Sequence, residues 1–373
     1  MKVGYDAKRA FLNPSGLGNY SRTLIKAMSH YYPGNTYSLF TTKTEGSSFA
    51  TVVKGMKNVE VFEPQSFLDK KLRARWRSYG ITELLKEQQV DVYHGLSNEI
   101  PFNISKFMGR KVLTIHDVIF LRYPELYPFL DRKIYSRKFR SSCEHADVIT
   151  AISVQTKQDI ERFFFIPEEK VKVVYQSCDQ SFYAASTKES DLATRLKYDL
   201  PSEYILYVGT IEERKNLLTV VKALEQVKDI PLVVVGRRRK YLAEVMKYAA
   251  QHKLDKRIKL VHEAEHSEMP AIYRGAQLFV FPSIFEGFGI PIIEALVTKV
   301  PVISSRGSCF PETAGPDSVF FDPMNVKELA EKINGVLRSP ALMENMREKG
   351  AEYARKFHPS VITTQLEKIY EAR

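Results

Sequence analysis

Short apolar runs of four to six residues alternate with amphipathic stretches along nearly the whole chain, and this alternation limits the fold more than any other feature. MKVGYD precedes NYSRTLIKAM; VKVVY, YILYVG, LVVVG, IKLV, LFVFPS and VPVIS follow, separated by loops and helical patterns. Strands alternating with helices make βαβ units, so the expected class is α/β with doubly wound parallel sheets. The alternation pauses once, across DQSFYAASTKESDLATRLKYDLPSE, which is polar and carries no strand signal before a fresh strand at Tyr204. The reading therefore has a domain over 1–180, a linker over 181–203 and a second domain over 204–355. A terminal helix over 356–373 follows, with Val361, Leu366 and Tyr370 at near-helical spacing and a place back on the first domain. At 373 residues the chain is long enough for two full cores. Open parallel sheets take ligands at the carboxyl ends of their strands, so two of them would bind across a cleft.

Composition narrows the setting. No run of eighteen apolar residues occurs, which argues against a membrane span. The start MKVGYDAKRA reads as a buried strand, without the apolar h-region of a signal peptide. Cys143, Cys178 and Cys309 are far apart, which fits free thiols in a reducing cytoplasm; the scattered histidines form no metal-type cluster. The net charge is +11, with 27 basic against 19 acidic residues in 1–180 and 28 against 25 in the remainder. That bias predicts an anionic partner for the first half.

Three glycine turns sit between a strand and a helix. In VFPSIFEGFGIPIIEALV, Gly287 and Gly289 let the backbone close on a ligand, and Pro291 suits the first helical turn. The amides of Gly287, Phe288 and Gly289, with the positive end of the helix dipole, form an expected phosphate site. Glu294, one turn into the helix, is placed to accept bonds from paired ribose hydroxyls, and Glu286 in the loop to do so for a sugar. In YILYVGTIEERKNLL, Arg214 and Lys215 oppose the dipole of the helix they precede, which an anionic ligand would explain. In NPSGLGNYSRTL, Gly16 and Gly18 permit close approach to a phosphate. This turn resembles G-x-G-x-x-G, but Ser21 stands where the last glycine would, so a nicotinamide site is disfavoured.

Other polar residues also fall just after strands. VLTIHDVIF ends a strand at His116 and Asp117; the histidine is either structural or functional, and Asp117, also a candidate for the acceptor site, either orients it or caps the loop. DVYHGLSNEIPF offers His94, Asn98 and Glu99 to an acceptor pocket, with loop capping as the equal alternative. In FLDKKLRARWRSYG (67–80) five basic residues accompany Leu68, Leu72, Trp76 and Tyr79 on one helical stripe. The stripe either docks on the sheet or lies on an anionic leaflet, the latter at about 1 kcal/mol per basic residue. Nucleic acid is not expected, because no binding motif or aromatic interleaving is present.

Together SGLGNYSR, TIHDVIF, YVGTIEERKNL, EGFGIPIIE, VPVISSRGSCFPETAGP and FFDP resemble the retaining glycosyltransferases of family 4, end to end. The resemblance implies the GT-B fold, two Rossmann-like domains facing across a cleft, and transfer of a sugar from a nucleotide diphosphate to a hydroxyl. It places Glu294 on the donor ribose, Glu286 and His116 near the donor sugar, and Arg214 and Lys215 on the diphosphate. The chain has Thr210 where some relatives carry an arginine, so charge neutralisation would rest on Arg214 and Lys215. The segment VHEAEHSE lacks a glycine found in many relatives, which leaves the base open. The chain contains no D-x-D, so metal-independent electrostatic stabilisation is expected. TIHDVIFLRYPELY looks most like users of GDP-mannose, with UDP-hexoses second. The implied acceptor is a glycan or lipid-linked glycan, the setting cell-surface polysaccharide synthesis, and the location the cytoplasm with peripheral contact at its membrane. A sugar-nucleotide epimerase and a non-catalytic nucleotide-sugar binder are the alternatives.

Overall fold

The computed structural model describes residues 1–373 apart from Lys228, Glu263 and Arg373. The chain divides into two compact units: Met1–Ser177 together with His358–Arg373, and Cys178–Phe357.

Unit 1 holds seven strands: β1 (Lys2–Asp6), β2 (Thr36–Phe40), β3 (Val59–Phe62), β4 (Val92–Gly95), β5 (Arg110–Ile115), β6 (Val148–Ala151) and β7 (Val171–Val173). Their order is β3-β2-β1-β4-β5-β6-β7 and every pairing is parallel. Unit 2 holds six: β8 (Ile205–Val208), β9 (Leu232–Val235), β10 (Ile258–Val261), β11 (Leu278–Phe281), β12 (Val302–Ser305) and β13 (Val319–Phe321). Their order is β10-β9-β8-β11-β12-β13, again all parallel. In each sheet the winding reverses once, between β1 and β4 and between β8 and β11. Ligands of such sheets bind outside the carboxyl ends of those strands.

The interior strands are buried on both faces because helices cover both. β4, β9, β11 and β12 are buried along their whole length. One core joins β8, β9 and β11 to the helices Leu217–Ala223, Tyr241–Gln251 and Val326–Leu337. The helix Gly16–Tyr31 turns Tyr20, Leu24, Ile25 and Met28 onto unit 1, each burial worth about 1.5–3 kcal/mol.

The terminal helix Pro359–Glu371 belongs to unit 1 and faces it with Ile362, Leu366 and Tyr370; the expected Val361 points outward, one residue off the buried stripe. Tyr370 carries its hydroxyl into the core, 2.7 Å from His94 Nδ1, and Glu367 accepts a bond of 2.8 Å from Asn35. The polar stretch 179–203 contains a helix, Lys188–Lys197, capped by Thr187 and tied to Arg274 through Asp191 at 2.6 and 2.8 Å. Residues 67–80 do not form one helix. Short helices at Phe67–Lys71 and Arg73–Arg75 break at Leu72, and a π-turn over Trp76–Gly80 follows. Of the predicted stripe only Trp76 is buried, while Leu68, Leu72 and Tyr79 are exposed. No helix among the described residues is long and apolar enough to cross a membrane.

Candidate functional site

The loops at the carboxyl ends of β8, β11 and β12 converge in unit 2. After β8, residues Glu213–Lys215 make a single 3₁₀ turn, and Asn216 takes a left-handed backbone (φ 55°) to start the next helix. Its side-chain amide donates to the carbonyls of Pro282 (3.2 Å) and Pro323 (2.8 Å), pinning this loop to the one after β11. Arg214 reinforces the joint: its backbone carbonyl accepts from Ile284 N at 2.9 Å, and Nη1 donates to Phe285 O at 2.5 Å.

Glu286 lies at the centre of this joint. Its Oε1 is 2.8 Å from Arg214 Nη1 and 2.5 Å from Lys215 Nζ, and accepts from Ser283 Oγ at 2.7 Å. Burial alone would raise its pKa; Lys215 and Arg214 more than offset this and hold it below the usual carboxylate range. Ser308, in a left-handed turn after β12, receives the Glu286 N–H and donates back to its carbonyl, at 3.3 and 3.0 Å. The two cations are therefore gathered with Glu286 rather than dispersed into solvent. Glu212 takes a second share of Arg214 at 2.8 Å, so two carboxylates face two cations.

The following helix, Ile290–Val297, starts at Gly289, whose φ of 98° suits glycine, with Pro291 in its first turn. No acidic residue or side-chain cap occupies that start. Gly287 lies in the loop before it. The Phe288 ring packs edge-on to Phe357 at 5.6 Å, and its carbonyl accepts from Thr313 at 2.9 Å, so Phe288 would serve a ligand by its backbone alone. Glu294 stands apart from Glu286 in a different environment. It is buried, accepts from Tyr273 Oη at 2.8 Å, and burial raises its pKa to about 6. One acid is thus held ionised by cations, and the other is less readily ionised for want of them.

In unit 1, His116 follows β5 and is buried. Its Nε2–H donates to Leu96 O at 2.8 Å, which leaves Nδ1 to accept from Gln176 Nε2 at 2.8 Å. Burial lowers its pKa to about 4, so the ring is neutral near pH 7. Tyr20 packs edge-on to it at 4.6 Å. Asn98, at φ 66°, accepts the His116 N–H at 2.7 Å, so it positions this turn. Asp117 accepts from Ile119 N at 3.2 Å, the capping alternative.

His94 departs from the expectation of an acceptor pocket. It is fully buried, bonded to Tyr370 through Nδ1 and to Thr114 through Nε2, both at 2.7 Å, and burial lowers its pKa to about 3. The reason is geometric: β4 is an interior strand, and at position 94 its side chain points into the core. The two glycines at the helix Gly16–Tyr31 also differ. A Cβ at Gly18 would lie 1.7 Å from the Asn13 carbonyl oxygen, so glycine there serves internal packing, whereas Gly16 faces open space.

Several partners were not legible beforehand. Glu212 had a local signal, an acid two residues before Arg214. Ser283, Ser308, Tyr273 and Gln176 reach the candidates from other elements, and no local pattern marks them. Glu263, in the segment expected to read the base, lies outside the described residues. Among those described, no group of three or more His, Cys, Asp or Glu side chains could hold a metal ion.

Two Rossmann-like parallel sheets with carboxyl-edge loops of this kind are the GT-B architecture of glycosyltransferases. A glycosyltransferase from Rickettsia africae matches with a TM-score of 0.78 at 20% identity, over 99% of this chain and 97% of that one. Anabaena Alr3699/HepE, solved in complex with UDP and glucose, matches with a TM-score of 0.77 at 17% identity over 99% of both chains. In sequence, the family described as Glycosyltransferase Family 4 matches residues 14–182 and that described as Glycosyl transferases group 1 matches 193–357. The chain belongs to glycosyltransferase family 4 and is a glycosyltransferase. Among its relatives, O-antigen chain mannosyltransferase B of Escherichia coli is 28% identical over 77% of this chain and 76% of its own. O-antigen chain mannosyltransferase RfbU of Salmonella typhimurium is 24% identical over 66% of each.

Proposed function

We propose that this glycosyltransferase moves a hexose, with mannose from GDP-mannose as the first candidate and UDP-hexoses second, to a hydroxyl of a glycan or lipid-linked glycan in cell-surface polysaccharide synthesis. The observation that carries it is the Glu286 carboxylate held between Arg214 and Lys215 at the carboxyl edge of β8 and β11. That cluster provides cations for a diphosphate and an acid for a sugar hydroxyl. The O-antigen mannosyltransferases among the relatives support the mannosyl reading.

In this reading Lys215, with the amides of Gly287, Phe288 and Gly289, meets the diphosphate, and Glu294 accepts from the ribose. Arg214 already holds Phe285 O, Glu212 and Glu286, so it keeps the loops in place and lends its charge from behind. The bond from the anomeric carbon to the diphosphate breaks, and its electron pair leaves with the phosphate oxygen. The acceptor oxygen bonds the same carbon from the same face, and its proton passes to the departing phosphate, so configuration is retained. His116 is not the base, because both ring nitrogens are engaged and burial holds its pKa at about 4, leaving little affinity for a proton; its place is beside the donor sugar. Leaving-group charge is met by preorganised protein groups, and no divalent ion is required.

We also read residues 67–80 as the contact of a peripheral enzyme with an anionic membrane. Thermal-shift and transfer assays with GDP, UDP and ADP sugars test the donor. A shift and sugar transfer with GDP-mannose that survive EDTA are expected; turnover that EDTA abolishes and magnesium restores refutes metal independence.

A further inference from the structure

Two segments of unit 1 expose large apolar side chains among basic ones. The first is the broken stretch after β3, where Phe67 is 72% and Leu68 59% exposed, with Leu72 also exposed. Lys70, Lys71, Arg73 and Arg75 surround them, against the single acid Asp69. The second is the start of the helix Phe129–His145, which follows β5. Its second half is anchored by Phe139, Ser142 and Cys143, but in its first two turns Leu130 is 71%, Phe129 58% and Ile134 52% exposed. Arg132 and Lys133 fold over the Phe129 ring, at 5.5 and 4.6 Å, and Lys71 over Phe67 at 4.6 Å. Cations folded along apolar rings are the amphipathic arrangement seen where a surface meets both hydrocarbon and anionic headgroups.

The topology puts both segments on one edge. In a parallel sheet each crossover leaves the carboxyl end of one strand and returns to the amino end of the next. Residues 67–75 and 129–134 begin such crossovers, so both project from the carboxyl edge. They also meet at their bases: Arg77 Nη1 and Lys138 Nζ both reach Glu99 Oε2, at 2.9 and 3.3 Å. Trp76, the one tryptophan of the chain, is buried at the foot of the first segment.

We infer that residues 67–75 and 129–137 form a two-pronged docking surface for an anionic phospholipid bilayer, its apolar tips entering the headgroup boundary and its basic residues pairing with lipid phosphates. The first prong rests on the membrane contact proposed above; the second is independent of it. Charge decides the occupant. A second copy meeting the same face would bring like-charged clusters together; for nucleic acid the tips Leu68, Leu72, Leu130 and Ile134 are aliphatic and cannot stack, and the Phe67 and Phe129 rings are already covered by Lys71, Arg132 and Lys133. A negative leaflet satisfies both components at once.

Sedimentation with vesicles of phosphatidylcholine alone, or with one-third phosphatidylglycerol, tests this at low and high salt. The protein should bind the anionic vesicles only, and less at high salt. Arg132→Gln with Lys133→Gln should weaken binding about 25-fold, at about 5-fold per basic residue. Leu130→Ser with Ile134→Ser should weaken it comparably, with Trp76 emission and Tm unchanged. If both pairs bind like the unaltered protein while Phe67→Ser with Leu68→Ser does not, the second prong is overturned and the contact at 67–80 stands. Equal binding to neutral vesicles overturns both. Self-association without lipid, abolished by the same substitutions, would assign the face to a second copy and overturn the inference.

Discussion

At the scale of residues, the two glutamates that bracket the glycine turn are opposites. Glu286 is stabilised as an anion by Lys215 and Arg214, whereas Glu294 has its pKa raised to about 6 by burial. Ionised Glu294 therefore costs the folded protein about 2 kcal/mol at pH 7, a cost relieved as pH falls through 6. Glu294→Gln is expected to raise the Tm of the unliganded protein at pH 7 while reducing, without abolishing, the shift that a nucleotide produces. Glu286→Gln should instead lower Tm, because it leaves two half-buried cations short of a partner; the stabilising effect of the carboxylate is present above the ordinary carboxylate pKa and is lost in acid. For the unaltered protein, nucleotide affinity should decline as Glu294 takes up a proton near pH 6, a decline absent from Glu294→Gln. Titrations between pH 5 and 8 by calorimetry would check both signs. Lys215→Ala should weaken nucleotide binding about 10- to 100-fold, the value of a charged hydrogen bond, and also lower Tm, because it takes the nearest cation from the Glu286 carboxylate. Arg214→Ala should lower Tm as well, because it also frees the loop after β11.

At the scale of elements, glycine and tyrosine act through packing that only neighbouring segments create. Gly18→Ala would drive a methyl into the Asn13 carbonyl, so the turn before the helix Gly16–Tyr31 must shift at about 1–3 kcal/mol. Gly16→Ala meets open space and should be nearly neutral, and comparing the two Tm values separates the roles. Tyr370→Phe removes the hydroxyl bonded to His94 Nδ1 and leaves that buried nitrogen unsatisfied, at about 1–3 kcal/mol. The terminal helix should then come loose first, seen as faster amide exchange across Pro359–Glu371. The strands were legible in the sequence as apolar runs, and the Gly289–Pro291 helix start as local turn chemistry. The stretch 67–80 was legible only in part: it is helical on either side of a break at Leu72, but with only Trp76 of the expected stripe docked, no shared buried face joins the two pieces.

At the scale of the whole molecule, two doubly wound sheets each present one carboxyl edge, and the family's motif residues collect there. Saturation of the donor site at a hundred times Kd should stabilise the protein by about 2.7 kcal/mol, and a calorimetric scan with and without nucleotide would detect it. The amino-acid sequence by itself determined the α/β class and the family, and it marked the acids, cations and glycines of the second unit as candidates, because these follow from periodicity and short motifs along the chain. Only the tertiary structure decided that His94 is a core residue, that Asn98 and Gln176 hold the His116 turn, and that Arg214 staples two loops around Glu286. The physical reason is that each of these roles depends on a partner tens of residues away, whose approach is set by strand order and packing rather than by any local pattern.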